Sequence, residues 1–176
     1  MMLQPSRMCR WLAPFAKILA VSLVCFTAIY WLMPGSAEYT ARRMATLPLG
    51  SITLSLNIRL LGLLLSSIQV LLLVYALLAV SKVFRAFANN EWFVPQIGEH
   101  LHQFGWALAL YGATSPLVRT LMALLITWNN PSGQRMLLIN FFGDDFVITL
   151  VGVLILLLGY AMREAARIAD ENNQII

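Results

Sequence analysis

Charged residues divide this chain into long apolar blocks. The first runs uncharged from Ile18 to Ala37, between Lys17 and Glu38, and the second from Leu60 to Ser81, between Arg59 and Lys82. A third extends from Gln103 to Gln134 and is broken only by Arg119; a fourth covers the 17 residues from Phe146 to Met162. Each is continuously apolar rather than alternating, which predicts helix and not the dyad pattern of a membrane barrel. A helix also pairs every backbone group within its own segment, as lipid requires. The blocks therefore predict an all-α integral membrane protein with four transmembrane helices, at about residues 14–34, 59–82, 104–128 and 146–163, in a single membrane domain spanning 1–176. The fourth block covers only about 25 Å, so Arg163 is expected to snorkel or the bilayer to thin.

Composition sharpens this reading. Hydrophobic residues make up 60% of the chain and charged residues 11%, with a mean hydropathy of +0.76. Soluble domains carry about 25% charged residues. Twelve Lys+Arg and eight Asp+Glu cannot coat a water-soluble globule, and the pattern equally excludes a disordered tail or a coiled coil. Placement of the positive charge then matters more than the net +4. Arg7, Arg10, Lys17, Lys82, Arg85, Arg163 and Arg167 flank one side of the predicted spans, and Arg42, Arg43, Arg59 and Arg135 the other. The positive-inside rule then predicts both termini in the cytoplasm. A signal peptide competes with the first span, with Arg7–Lys17 as its n-region and Gly35-Ser36-Ala37 as its cleavage site. The length of the segment, and Tyr30 and Trp31 placed as interfacial anchors, favour an uncleaved helix. Cys9 faces a reducing compartment and Cys25 lies mid-span, so no disulfide is expected.

Between the spans, Pro34–Asn57 forms the longest connection, with a short surface helix predicted over 37–46. An inner loop over 83–103 interleaves Phe84, Phe87, Trp92 and Phe93 with Arg85, Asn89, Asn90 and Glu91, which suits the headgroup layer. Asn129–Gly133 is a strong turn signal, and Asp144 and Asp145 sit where an N-cap would start the fourth helix. A juxtamembrane helix and tail follow over 163–176. Shifting the chain by 82 residues lays Arg85–Val94 on Arg167–Ile176 and the second span on the fourth. Duplicated helical hairpins and chance similarity of two juxtamembrane ends both account for this.

Arg119 is the most informative polar residue. An arginine at mid-membrane costs roughly 2.5–3.5 kcal/mol, so it needs a partner. Two readings stand: a structural pair with Asp144 or Asp145, and a ligand or coupling site in the bundle interior. Pro116 frees a carbonyl within reach of the guanidinium. Gly105, Ala109 and Ala113, and Gly62 and Ser66, recur every four residues and mark close helix packing, with a homo-oligomer face as the alternative. His100 and His102 are two apart, a spacing that does not suit a metal on a helix. No nucleophile–base set, Gly-rich phosphate loop or acidic series within the spans is visible. The expectation is a non-enzymatic protein with no catalytic, metal or cofactor site, and with no direct nucleic-acid contact.

Four stretches carry a family resemblance: Arg59–Gly62 (RLLG), Phe84–Phe93 (FRAFANNEWF), Thr127–Arg135 (TWNNPSGQR) and Met162–Asn172 (MREAARIADEN). From Arg59 onward the chain resembles an uncharacterised bacterial family of four-span inner-membrane proteins, a domain of unknown function. It departs from that pattern in having Asn90-Glu91-Trp92 where a glycine commonly precedes the aromatic. The resemblance brings no established activity. It does imply a partner, because members are often encoded beside a Cro/CI-type helix-turn-helix regulator. Phe84, Arg85, Trp92 and Phe93, with Glu164, Arg167, Glu171 and Asn172, are the candidate docking residues on the cytoplasmic face. Glu164, Arg167 and Glu171 have the spacing that supports a helical tail. The leading reading is a membrane protein that tethers or modulates such a regulator. The alternative is a small transporter or channel subunit with Arg119 in a polar cavity.

Overall fold

A computed structural model describes residues 5–33, 35, 36, 39, 55–91, 94–128, 139 and 141–173. Four helices account for nearly all of these: α1 (Pro5–Leu32), α2 (Leu56–Ala88), α3 (Pro95–Thr127) and α4 (Gly143–Asn173). Each is long and apolar enough to cross a membrane. The predicted surface helix over 37–46 and the Asn129–Gly133 turn lie outside the described residues, apart from Tyr39.

The helices overrun the predicted spans. At 33 residues, α2 and α3 are each about 50 Å long, against a hydrocarbon layer of about 30 Å. The predicted inner loop over 83–103 is therefore mostly helix, and the connection shrinks to Asn89–Val94. Hydropathy marks where a segment leaves lipid, whereas the helix ends only where the backbone is told to turn. Here the instruction is a Schellman-type cap on α2. Asn90 adopts the left-handed conformation, φ 63°. Its N–H donates to the Phe87 carbonyl at 3.2 Å, and the Glu91 N–H donates to the Ala86 carbonyl at 3.1 Å. Asparagine tolerates this conformation where glycine is usual. Pro95, in the first turn of α3, then starts the next helix without a wasted donor.

Extended interfaces join α1 to α2, α2 to α3 and α3 to α4, the last being the most extensive. All three pairs run antiparallel: Ser81 meets Ala13, Gln69 meets Thr114, and Gly105 meets Leu156. The start of α1 and the end of α4 thus share one end of the molecule with the α2–α3 turn. Among the described residues α1 and α4 share no extended interface, so the expected four-helix bundle is an open one.

At the opposite end, Trp31, Ile58, Met122, Ala123 and Ile126 form a buried cluster where α1, α2 and α3 converge. Trp31 is 1% exposed, which corrects its expected role as an interfacial anchor; Tyr30 beside it does face outward. The cause is Gly62, where the Trp31 ring occupies the space a Cβ would need.

Candidate functional site

The polar chemistry of the interior is concentrated at Arg119, and the way α3 meets α4 puts it there. Gly98, Gly105, Gly112 and Arg119 recur every seven residues on α3, as do Asp145, Gly152, Gly159 and Ala166 on α4. A seven-residue period keeps one stripe facing its partner along a slightly tilted pair. The two stripes pack main chain on main chain. A Cβ on Gly105 would fall 2.7 Å from the Gly152 carbonyl oxygen, and one on Gly159 2.7 Å from that of Gly98. A Cβ on Gly112 would lie 2.8 Å from the Asp145 carbonyl oxygen. Gly105 and Ala109 belong to this seam as predicted, but Ala113 is exposed and Gly112 takes the place expected for it. The face follows a seven-residue period rather than the expected four-residue one, and the sequence displays it.

Arg119 and Asp145 sit at one end of this seam. Helical side chains lean toward the N-terminus, so Arg119 reaches back along α3 to the first turn of α4. Its Nη2 donates to Asp145 Oδ2 and, at 3.1 Å, to Ser115 Oγ. Its Nε donates to the Ser115 carbonyl at 3.4 Å. The guanidinium carbon lies 4.5 Å from the centroid of the Phe142 ring. Asp145 also accepts the Phe142 N–H at 3.0 Å, the third-residue half of a capping box, and its charge suits the positive end of the helix dipole. The side chains of Arg119 and Asp145 are 19% and 10% exposed. Asp145 is therefore the partner, while Asp144 is exposed. The carbonyl used is that of Ser115, not the one Pro116 frees at Gly112, because the arginine side chain passes directly over Ser115.

Arg119 also borders a cavity of about 350 Å³ between α1, α2 and α3. Thr27, Ser66, Gln69, Tyr111 and Ser115 contribute its polar lining. Gln69 Nε2 donates to Thr114 Oγ1 at 3.1 Å, while its buried Oε1 has no hydrogen-bond partner among the described residues.

The candidate docking residues lie at the other end of α3. Phe84 is half-buried and Arg85 exposed on the last turns of α2. Arg85 lines a groove of about 590 Å³ with Lys82, Glu91, Gln96 and His100. On α4, Arg163 packs its Cγ against Gly98. One turn further, Arg167 bridges Glu164 at 2.5 Å and Glu171 at 3.0 Å. The first turns of α3 thus lie between the end of α2 and the end of α4. Trp92, Phe93 and the side chain of Asn172 lie outside the described residues. Cys9 is buried and Cys25 exposed on α1.

Together these features define a small multi-pass helical membrane protein. Among the described residues, an intramembrane ion pair, an adjoining cavity and a charged end face are its main polar features. The chain belongs to the family described as protein of unknown function (DUF2975), whose model matches residues 37–176. No curated protein and no solved structure matches it.

Proposed function

We propose that this protein is a non-enzymatic membrane anchor whose charged end face holds a cytoplasmic regulator of the helix-turn-helix class. The observation that carries this reading is the continuation of α4 as helix to Asn173, past its apolar segment and past the contact of Arg163 with Gly98 near the start of α3. An ion-paired helix of this kind, with Glu164, Arg167 and Glu171 spaced at three and four residues, presents a rigid polar surface. The mixed-charge groove around Arg85 and Glu91 lies across the start of α3 and supports a protein partner. Both termini then lie in the cytoplasm, as the distribution of Lys and Arg favours. Solubilising the membranes and identifying any helix-turn-helix regulator that co-purifies with the protein tests this. Deleting Arg167–Ile176 is expected to abolish recovery of the regulator while leaving membrane abundance unchanged. Equal recovery by the truncated chain overturns the reading.

A second reading, a small transporter or channel subunit, is favoured by the cavity that Arg119 borders. Replacing Arg119 by Met together with Asp145 by Leu separates the two. Loss of solute flux at normal membrane abundance supports transport, and retention of regulator binding supports the anchor.

A further inference from the structure

A second charged site stands at the same end, between α1 and α2. Arg10 and Lys17 on α1 and Arg85 on α2 line a cleft of about 230 Å³, floored by the small groups Ala13, Pro14 and Ala88 and edged by Asn89. None of the three cations has a carboxylate partner among the described residues. Three like charges around one small cleft repel one another unless an anion lies between them.

The depth of the cleft indicates which anion. Lys17 immediately precedes the first uncharged block, and Lys82, three residues before Arg85, immediately follows the second. The cleft therefore lies where apolar segments give way to water, the level of phospholipid phosphates. On the same turns of α1, Trp11 is 79% and Phe15 55% exposed, as suits aromatic side chains at a membrane interface. Basic pockets between transmembrane helices take phosphate-bearing headgroups in this way, and arginine forks match phosphate oxygens in pairs.

We propose that Arg10, Lys17 and Arg85 form a binding site for one phosphate group, carried by an acidic phospholipid headgroup or by free phosphate. Bound there, the anion ties α1 to α2 at their charged ends, opposite the Trp31 cluster. Native mass spectrometry of the full chain in detergent micelles tests this, with dioleoyl phosphatidylglycerol, dioleoyl phosphatidylcholine and inorganic phosphate as probes. Phosphatidylglycerol should be retained in preference to phosphatidylcholine. Arg10→Gln, Lys17→Gln and Arg85→Gln should each weaken that retention about fivefold. Arg85→Lys should keep most of it, and Arg7→Gln, which lies outside the cleft, should leave it unchanged. Displacement of phosphatidylglycerol by millimolar inorganic phosphate assigns the site to the free anion, and persistence assigns it to the lipid. Equal retention of both lipids overturns the proposal, as does a loss from Arg7→Gln matching that from Arg85→Gln, which would mark diffuse surface attraction.

Discussion

The two hairpins of this molecule solve one problem by different means. Lipid supplies no hydrophobic drive between helices, so their association rests on packing and on polar contacts. In the α3–α4 hairpin, glycines on both helices let the backbones touch, and the Arg119–Asp145 pair closes the seam at one end. In the α1–α2 hairpin the contact is made by side chains. Cys9, Ala13, Ala16 and Ala20 form a buried stripe on α1, the Trp31 ring fills the notch at Gly62, and Ser81 Oγ donates to the Ala13 carbonyl at 2.8 Å. The first arrangement cannot yield, because a main chain has nowhere to move. The second can be repacked by rotating side chains. The contrast teaches that the α3–α4 hairpin is the more rigid half, with α2 packed on α3 and α1 packed on α2.

The largest effect expected from breaking this contrast is at Gly152. Leucine there would drive a side chain into the Ala109 backbone, beyond the roughly 1–3 kcal/mol of ordinary overpacking. Gly152→Leu should remove most folded protein from the membrane, read as abundance and as monodisperse elution in detergent. Normal recovery would mean the seam is not close-packed. Next comes the ion pair. Asp145→Leu leaves Arg119 buried and unpaired, a loss of roughly 3 kcal/mol, read as a lowered thermal midpoint in detergent. Adding Arg119→Met should restore most of that stability, because replacing a whole buried pair by apolar groups is often neutral. A double variant as unstable as the single one would show that the pair does more than neutralise itself. The smallest effect belongs to the adaptable hairpin: Ser81→Ala should lower stability by only about 0.6 kcal/mol, the average for a hydrogen bond between membrane helices. A loss as large as that at Asp145 would erase the distinction between the halves.

The candidate pair shows how far residue chemistry reaches. An arginine within an apolar block demands an acid, and the start of the fourth helix carries two adjacent ones, Asp144 and Asp145. Choosing between them needs the rotation of α4 about its axis. That rotation is set by Gly152 and Gly159 seating on α3. The seven-residue glycine register is legible in the chain, but a four-residue pattern shares Gly105 with it, continues through Ala109 and points to Ala113. Trp31 was misplaced for a related reason. Next to Tyr30 at the end of an apolar block it has the sequence setting of an interfacial aromatic, and only the notch at Gly62, some thirty residues on, turns it inward.

The amino-acid sequence alone determined that this chain crosses lipid on four helices, because continuous apolar blocks have no other stable state there. It also determined that a buried cation would need a carboxylate. Tertiary structure alone decided which carboxylate, which helix faces touch, and that the row of helices stays open between α1 and α4. Those outcomes depend on rotations and approaches between segments distant in the chain. Van der Waals contact, which falls away within a fraction of an ångström, selects them only once both surfaces are in place.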